Sequence, residues 1–306
     1  MLASSDTPKK YSQNDASTFL RLLARYASRF KKRVTFLLRM LACNALVLFA
    51  SASFLSANDL SLLSLTRECV GCDLSNRDMT RIDLSETKLE NVDFRNSVLT
   101  DSDFSGSEIR RTNFSEAKLQ RANFHGTRLR NTDPQGKFSF EMSGVDFRGA
   151  GFESAIVVIL LRESKLSGAN FSSSLLNIKG DLITATGANF SQSLGYGLFE
   201  GAFNVRNSEF QRADFSDSKL RSSKFLKSNL QDANFQNADL SESNFSDSDL
   251  SRANFQNADL SNVDFSGSNL SRANLEGADL SGADLKDAIL CEAVSPDGKI
   301  LFIGCE

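Results

Sequence analysis

The 306-residue chain contains one histidine, His125, and that scarcity bounds its chemistry more than any other feature. No Ser/His/Asp or Cys/His arrangement can be built except around His125, which directly follows Phe124 of a repeat and is expected to point outward. A histidine metal site is excluded for the same reason. A glycine-rich phosphate loop and the GGxGxD calcium repeat are also missing. Paired carboxylates occur throughout, but they recur as a ladder, which reads as a solvated face rather than a catalytic dyad. Basic residues after the first 57 are not expected to cluster with aromatics on one face, so nucleic-acid binding by a basic patch has no support. These absences predict a non-enzyme with no cofactor, no metal and no nucleic-acid ligand.

What is present is periodic. Residues 231–290 divide into three lines of twenty: QDANFQNADLSESNFSDSDL, SRANFQNADLSNVDFSGSNL and SRANLEGADLSGADLKDAIL. Within each line a unit repeats every five residues: a small residue, Asp or Asn, then Leu or Phe, then two mostly polar positions. On an α-helix a five-residue step rotates successive apolar residues by about 140°, so no buried stripe forms. On a straight strand an odd step sends them to opposite faces. The chain must therefore turn once per pentapeptide, and the twenty-residue period says that four corners close one coil.

These residues resemble the pentapeptide-repeat family, whose motif is A(D/N)LXX. The resemblance implies an all-β chain: a right-handed, four-sided β-helix. Central apolar positions run every fifth residue from Leu74 to Leu129 and from Phe210 to Leu290. Each central Leu or Phe would contribute roughly 1.5 to 3 kcal/mol by burial. The small residue two places earlier shares the interior, which facing walls about 10 Å apart keep narrow. Asp or Asn before the centre can bond nearby backbone amides and favour tight turns. Phe at 225, 235, 245, 255 and 265, and at 94, 104, 114 and 124, should occupy two opposite walls.

The ends differ from the repeats. Residues 1–56 carry nine Lys and Arg against Asp6 and Asp15, while the whole chain has net charge −3, so the remainder is acidic. A basic stretch, the apolar run Met40–Phe49 and Ala50-Ser51-Ala52 describe a secretory signal peptide. The alternative is a membrane anchor over residues 34–57, with Arg39 and Asn44 against it. Lipidation of Cys43 fits less well, because most of the apolar run follows the cysteine. Residues 58–71 read as an N-terminal cap with a short helix, Asn58 capping it and Leu60 and Leu63, with Leu62 as a third candidate, covering the first coil. Residues 291–306 read as a C-terminal hairpin lid around Pro296-Asp297-Gly298.

Removal of the leader with Cys43 leaves Cys69 with Cys72 and Cys291 with Cys305, two terminal pairs that suit an exported domain. A redox role for Cys69 and Cys72 stays open. Exported cyanobacterial members with similar Cys-bracketed ends are part of the resemblance.

Between regular coils at 72–131 and 207–290, residues 132–206 break register. Pro134 falls where a central apolar residue is due. The 81 residues from Leu129 to Phe210 suggest four coils plus one residue, with bulges near 131–141, 153–160, 177–187 and 191–206. Ile156–Leu161 reads as a buried strand or, alternatively, an exposed contact patch. Two functional classes remain. The first is an exported structural or protein-binding rod in the periplasm or thylakoid lumen, contacting an unknown protein through Tyr196, Leu198 and Phe199. The second is an acidic, DNA-like protein that acts on gyrase, as the resemblance implies for some members; a membrane contact would arise only through an uncleaved 34–57.

Overall fold

A computed structural model describes residue 63 and residues 65–133, 137–139, 141–195 and 202–305. The leader, Asn58, Leu60, Leu62 and Pro134 lie outside the described residues. Residues Ser56–Glu306 form one compact unit, a four-sided parallel β-solenoid.

Each wall is a ladder of parallel bridges. One runs Asp83, Asp103, Asn123, Gly151, Asn170, Asn189, Asp214, Asn234, Asn254, Asn274, Val294. We number the walls in chain order: the first holds Cys69 and Leu89, the second Leu74 and Phe94, the third Met79 and Leu99, the fourth Leu84 and Phe104. No coil satisfies its own backbone. The Leu74 amide donates to the Asp93 carbonyl of the next coil at 2.8 Å, and the Asp93 amide donates back to Cys72 at 2.9 Å.

The corners explain why the repeat has five residues. The residue before each centre supplies the corner's acceptor: Asp73 Oδ1 takes the Ser75 amide at 3.0 Å, and Asp284 Oδ1 takes the Lys286 amide at 2.9 Å. Two places after the centre the chain enters the left-handed region, at φ 55° for Asn76 and 61° for Arg252. That single reversal turns the chain onto the next wall.

The interior follows the sequence pattern. Most phenylalanines occupy the second and fourth walls, while Phe147 and Phe210 lie on the third. Phe94 stacks on Phe114 at 5.1 Å between ring centroids, and Phe104 meets Phe94 edge-on at 6.1 Å from the opposite wall. Offset stacking along each wall and edge contact across the core are the two favoured aromatic geometries. Inward serines and threonines donate to main-chain carbonyls, either of their own coil, as Ser97 Oγ does to Phe94 at 2.6 Å, or of the previous coil, as Ser107 Oγ does to Leu84 at 2.6 Å. A hydroxyl is therefore tolerated where alanine is the alternative.

At the first coil Leu63 is buried and the Arg67 amide closes a helical turn onto its carbonyl at 2.9 Å. Leu65 points to solvent. At the last coil Leu290–Val294 pairs antiparallel with Ile300–Ile303. The Cys69–Cys72 and Cys291–Cys305 sulfurs lie within bonding distance, with Cα separations of 5.9 and 4.9 Å.

The middle departs from the expected count. Between Leu129 on the first wall and Phe210 on the third there are three and a half coils, not four plus one residue. Residues 153–160 and 177–187 hold no insertion; a residue is missing from each of those coils. Ile156–Leu161 is a largely buried strand, as its first reading expected.

Candidate recognition surface

Successive members of the fourth-wall ladder are 20 residues apart in the regular blocks. The step is 28 from Asn123 to Gly151, 19 to Asn170, 19 to Asn189 and 25 to Asp214. All four departures fall at the corner between the first and second walls, on four consecutive coils. Leu129 and Met142 align with Val157 and Leu161, so an insertion separates the first pair while the second pair lies only four residues apart. Leu176 and Gly180 are also four apart, and they align with Gly195 and Val205, between which the second insertion lies. The other three corners keep a spacing of five, as in Met142, Phe147 and Phe152.

Removing one residue removes the corner. The strands Ile156–Arg162 and Leu175–Asp181 therefore run straight from the first wall onto the second. The β-branched run at Ile156–Ile159 favours this extension. Period-two alternation now turns Val157, Ile159 and Leu161 inward, and Ile178 joins them from the next coil. Gly180 occupies a centre position because a Cβ there would lie 2.1 Å from the Leu161 carbonyl oxygen. Ile183, three residues later, fills the adjoining space.

The outward face of this straightened edge has its own pattern. In the first-wall ladder Arg128, Ile156, Leu175, Leu194 and Lys219 are successive neighbours. Beside them run Leu160, Lys179, Asn204 and Lys224, then Arg162, Asp181, Arg206 and Leu226. Ile156 and Leu175 are half-buried and Leu194 is 39% exposed. The first insertion folds back as a small hairpin, with Ser139 donating to the Asn131 carbonyl at 2.9 Å. Its Phe138 ring lies under Lys179 Nζ, 5.4 Å from the centroid, which ties the hairpin to the straightened strand. The Asn131 amide donates to Val158 at 2.8 Å, and Val158 is buried although it faces outward.

The cations on this face are unevenly paired. Arg162 reaches Glu163 at 3.3 Å and Glu141 at 4.0 Å. Among the described residues, Arg128, Arg206, Lys219 and Lys224 have no carboxylate partner. Toward the C-terminus the first-wall ladder becomes acidic, with Asp239, Asp259 and Asp279 in succession.

Shifted carboxylates elsewhere belong to surface ion pairs or, at Asp73, Asp78 and Asp279, are lowered by hydrogen bonds from the Ser or Thr two places on. The Arg121 hydrogen bonds at 2.7 Å hold Asp101 below the usual carboxylate range, and those of Arg252 do the same to Asp232. His125 is exposed. Among the described residues no group of three or more His, Cys, Asp or Glu could hold a metal ion. No described helix is long and apolar enough to cross a membrane.

Of the residues expected to contact a partner, Tyr196, Leu198 and Phe199 lie outside the described residues. The leucine column and its flanking cations were missed, because they align only through steps of 28, 19, 19 and 25. The available signal was apolar residues at ladder positions that the regular coils fill with polar or charged residues: Ile156, Leu160, Leu175 and Leu194.

Family models match both regular blocks. That of the pentapeptide repeat region matches residues 208–285, and that of pentapeptide repeats (8 copies) matches 68–106, 78–115 and 97–133. The chain is a pentapeptide-repeat protein. The matched stretches stop on either side of the irregular middle. Similar solved structures include HetL, a pentapeptide repeat protein involved in heterocyst differentiation regulation from the cyanobacterium Nostoc sp. strain PCC 7120. It is 26% identical over 79% of this chain and 97% of its own, with a TM-score of 0.40. QnrB1, a plasmid-mediated fluoroquinolone resistance protein, is 22% identical over 71% of this chain and 90% of its own, with a TM-score of 0.41. A pentapeptide repeat protein from the Arabidopsis thaliana thylakoid lumen is 25% identical over 44% and 71%, with a TM-score of 0.28. No curated protein matches the sequence.

Proposed function

We propose that this pentapeptide-repeat protein is a non-catalytic scaffold that binds a protein partner through the straightened edge of its irregular middle. One observation carries the reading: four departures from register fall on one corner of four consecutive coils. Random decay of repeats would scatter insertions and deletions over all four corners. Confinement to one corner instead leaves the other three corners intact and remodels a single surface. Apolar and cationic side chains held on a rigid ladder suit recognition better than the short polar side chains of the regular coils.

The basic leader, its apolar run and Ala50-Ser51-Ala52 support export to the periplasm or thylakoid lumen, where the terminal cysteine pairs would be oxidised. N-terminal sequencing of protein from its host should start between Ala52 and Asn58; an intact leader in the membrane fraction would reject export.

The edge is tested by capture from host extract with wild type, Leu194→Asp and Arg206→Glu. Both substituted side chains are exposed, so folding should persist and partner recovery should fall by about tenfold, the effect of roughly 1.4 kcal/mol. Equal recovery would reject the edge. The Asp239–Asp259–Asp279 ladder favours a second reading, gyrase interaction. Recovery of gyrase subunits by all three proteins would favour that reading.

A further inference from the structure

We propose that the straightened edge binds an acidic amphipathic α-helix laid along the solenoid axis, a reading that rests on the edge being a protein-binding surface. Ile156, Leu175 and Leu194 are in register on three successive rungs, bracketed by Arg128 on the rung before and Lys219 on the rung after. Rungs are spaced by about 4.8 Å, so the three apolar side chains span about 10 Å along the axis. Residues i, i+4 and i+7 of a helix span about 10.5 Å, because each residue rises about 1.5 Å. An extended chain in the same direction would present same-face residues every 6.8 Å or so, and would drift by about 2 Å per rung. A strand added across the axis is excluded as well, because the Leu175–Asp181 strand is already paired on both sides. The spacing selects a helix.

The charge selects its sign. Arg128, Arg162, Lys179, Arg206, Lys219 and Lys224 surround the apolar column, with Asp181 as the one acid within the three ladders there. Four of those cations have no carboxylate partner among the described residues, so they are available to one. Carboxylates beside the helix's apolar stripe would meet them on both flanks. The regular coils on the C-terminal side carry acids at the same ladder positions, Asp239, Asp259 and Asp279, and would repel such a helix, while those on the N-terminal side alternate Glu68, Lys88 and Glu108 and offer no apolar column. Attraction at one edge and repulsion on its C-terminal side fix where the ligand sits. A nucleic acid or an anionic lipid surface would use the cations but not the column of Ile and Leu between them.

The probe is a synthetic helix with leucine at i, i+4 and i+7 and glutamate at flanking positions, titrated against the full chain by fluorescence anisotropy. A scrambled acidic peptide and a version with lysine for glutamate serve as comparisons. The acidic helix should bind at least about tenfold more tightly than either, and Leu175→Glu and Lys219→Glu should each weaken it by about fivefold or more. Lys286→Glu, three coils away, should leave it unchanged. Circular dichroism verifies folding, and Leu194→Ser repeats the test if Leu175→Glu is destabilised. Equal binding of the acidic and scrambled peptides, or binding indifferent to these substitutions, would overturn the proposal. Tighter binding of single-stranded DNA or phosphatidylserine vesicles that survives Leu175→Glu would also overturn it and assign the edge to a polyanion. Should the acidic helix fail while edge substitutions still abolish partner capture, the helix is rejected and the protein-binding edge is retained.

Discussion

Two places after most core positions, a residue sits near φ +55°, a conformation that costs an L-residue about 1 to 2 kcal/mol and glycine almost nothing. The chain nevertheless places Asn, Asp, Arg, Ser and Glu there repeatedly, as at Asn76, Asp101, Arg121 and Glu242. The corner is therefore imposed by the ladder on either side, not by local preference. Glycine is required for a different reason at one site. At Gly168, φ is +66° and an added Cβ would meet nothing within 4 Å, so Gly168→Ala should cost only about 1 kcal/mol of backbone preference. At Gly180 the Cβ would fall on the Leu161 carbonyl oxygen, a backbone atom that cannot move without disturbing a straightened strand. Gly180→Ala should cost about 3 kcal/mol or more. Denaturant midpoints of the two variants decide between these outcomes; equal midpoints would contradict the close approach. The inward small position and the Asx acceptor were legible in the sequence. The left-handed residue was not, because its identity varies so widely.

At the scale of elements, the terminal structures and the straightened strands were read with unequal success. The hairpin Leu290–Val294 with Ile300–Ile303 follows from Pro296-Asp297-Gly298 between apolar runs. The Cys291–Cys305 pair closes its ends at a sequence separation of 14. A bond there should contribute roughly 3 kcal/mol by restricting the unfolded chain. Cys305→Ser should accordingly lower the melting temperature under non-reducing conditions, and reductant should lower the wild type at least as far, because it also opens the Cys69–Cys72 pair. A variant that melts with the oxidised wild type would show that the sulfurs are not bonded. The straightened strands were harder. Eighty-one residues between Leu129 and Phe210 are close to four coils, so the total concealed two insertions and two single-residue deletions whose net excess passes for a further half coil plus one residue. Only the pairing of Leu129 with Val157 and of Leu176 with Gly195 separates them.

At the scale of the whole solenoid, stability is a sum of neighbouring-coil interactions, so each coil that breaks the repeat weakens its two interfaces unless something compensates. Here the compensation is local. Ile159 and Ile178 refill the lost corner, and the Phe138 hairpin covers the strand from outside. On the same ladder the N-terminal block alternates Glu68, Lys88 and Glu108 and the C-terminal block runs Asp239, Asp259 and Asp279, while the middle presents Arg128, Ile156, Leu175, Leu194 and Lys219 in line. That alignment could not be read from a fixed period of twenty, and it is the feature that turns a uniform rod into one with a distinct place to bind. The most direct measurement replaces the coils from Leu129 to Leu220 with consensus pentapeptides in unbroken register and quantifies partners captured from the native host. The regularised chain should fold with equal or higher stability and lose the partner that wild type recovers. Equal recovery from both chains would show that the irregular edge recognises nothing, and the account would fail.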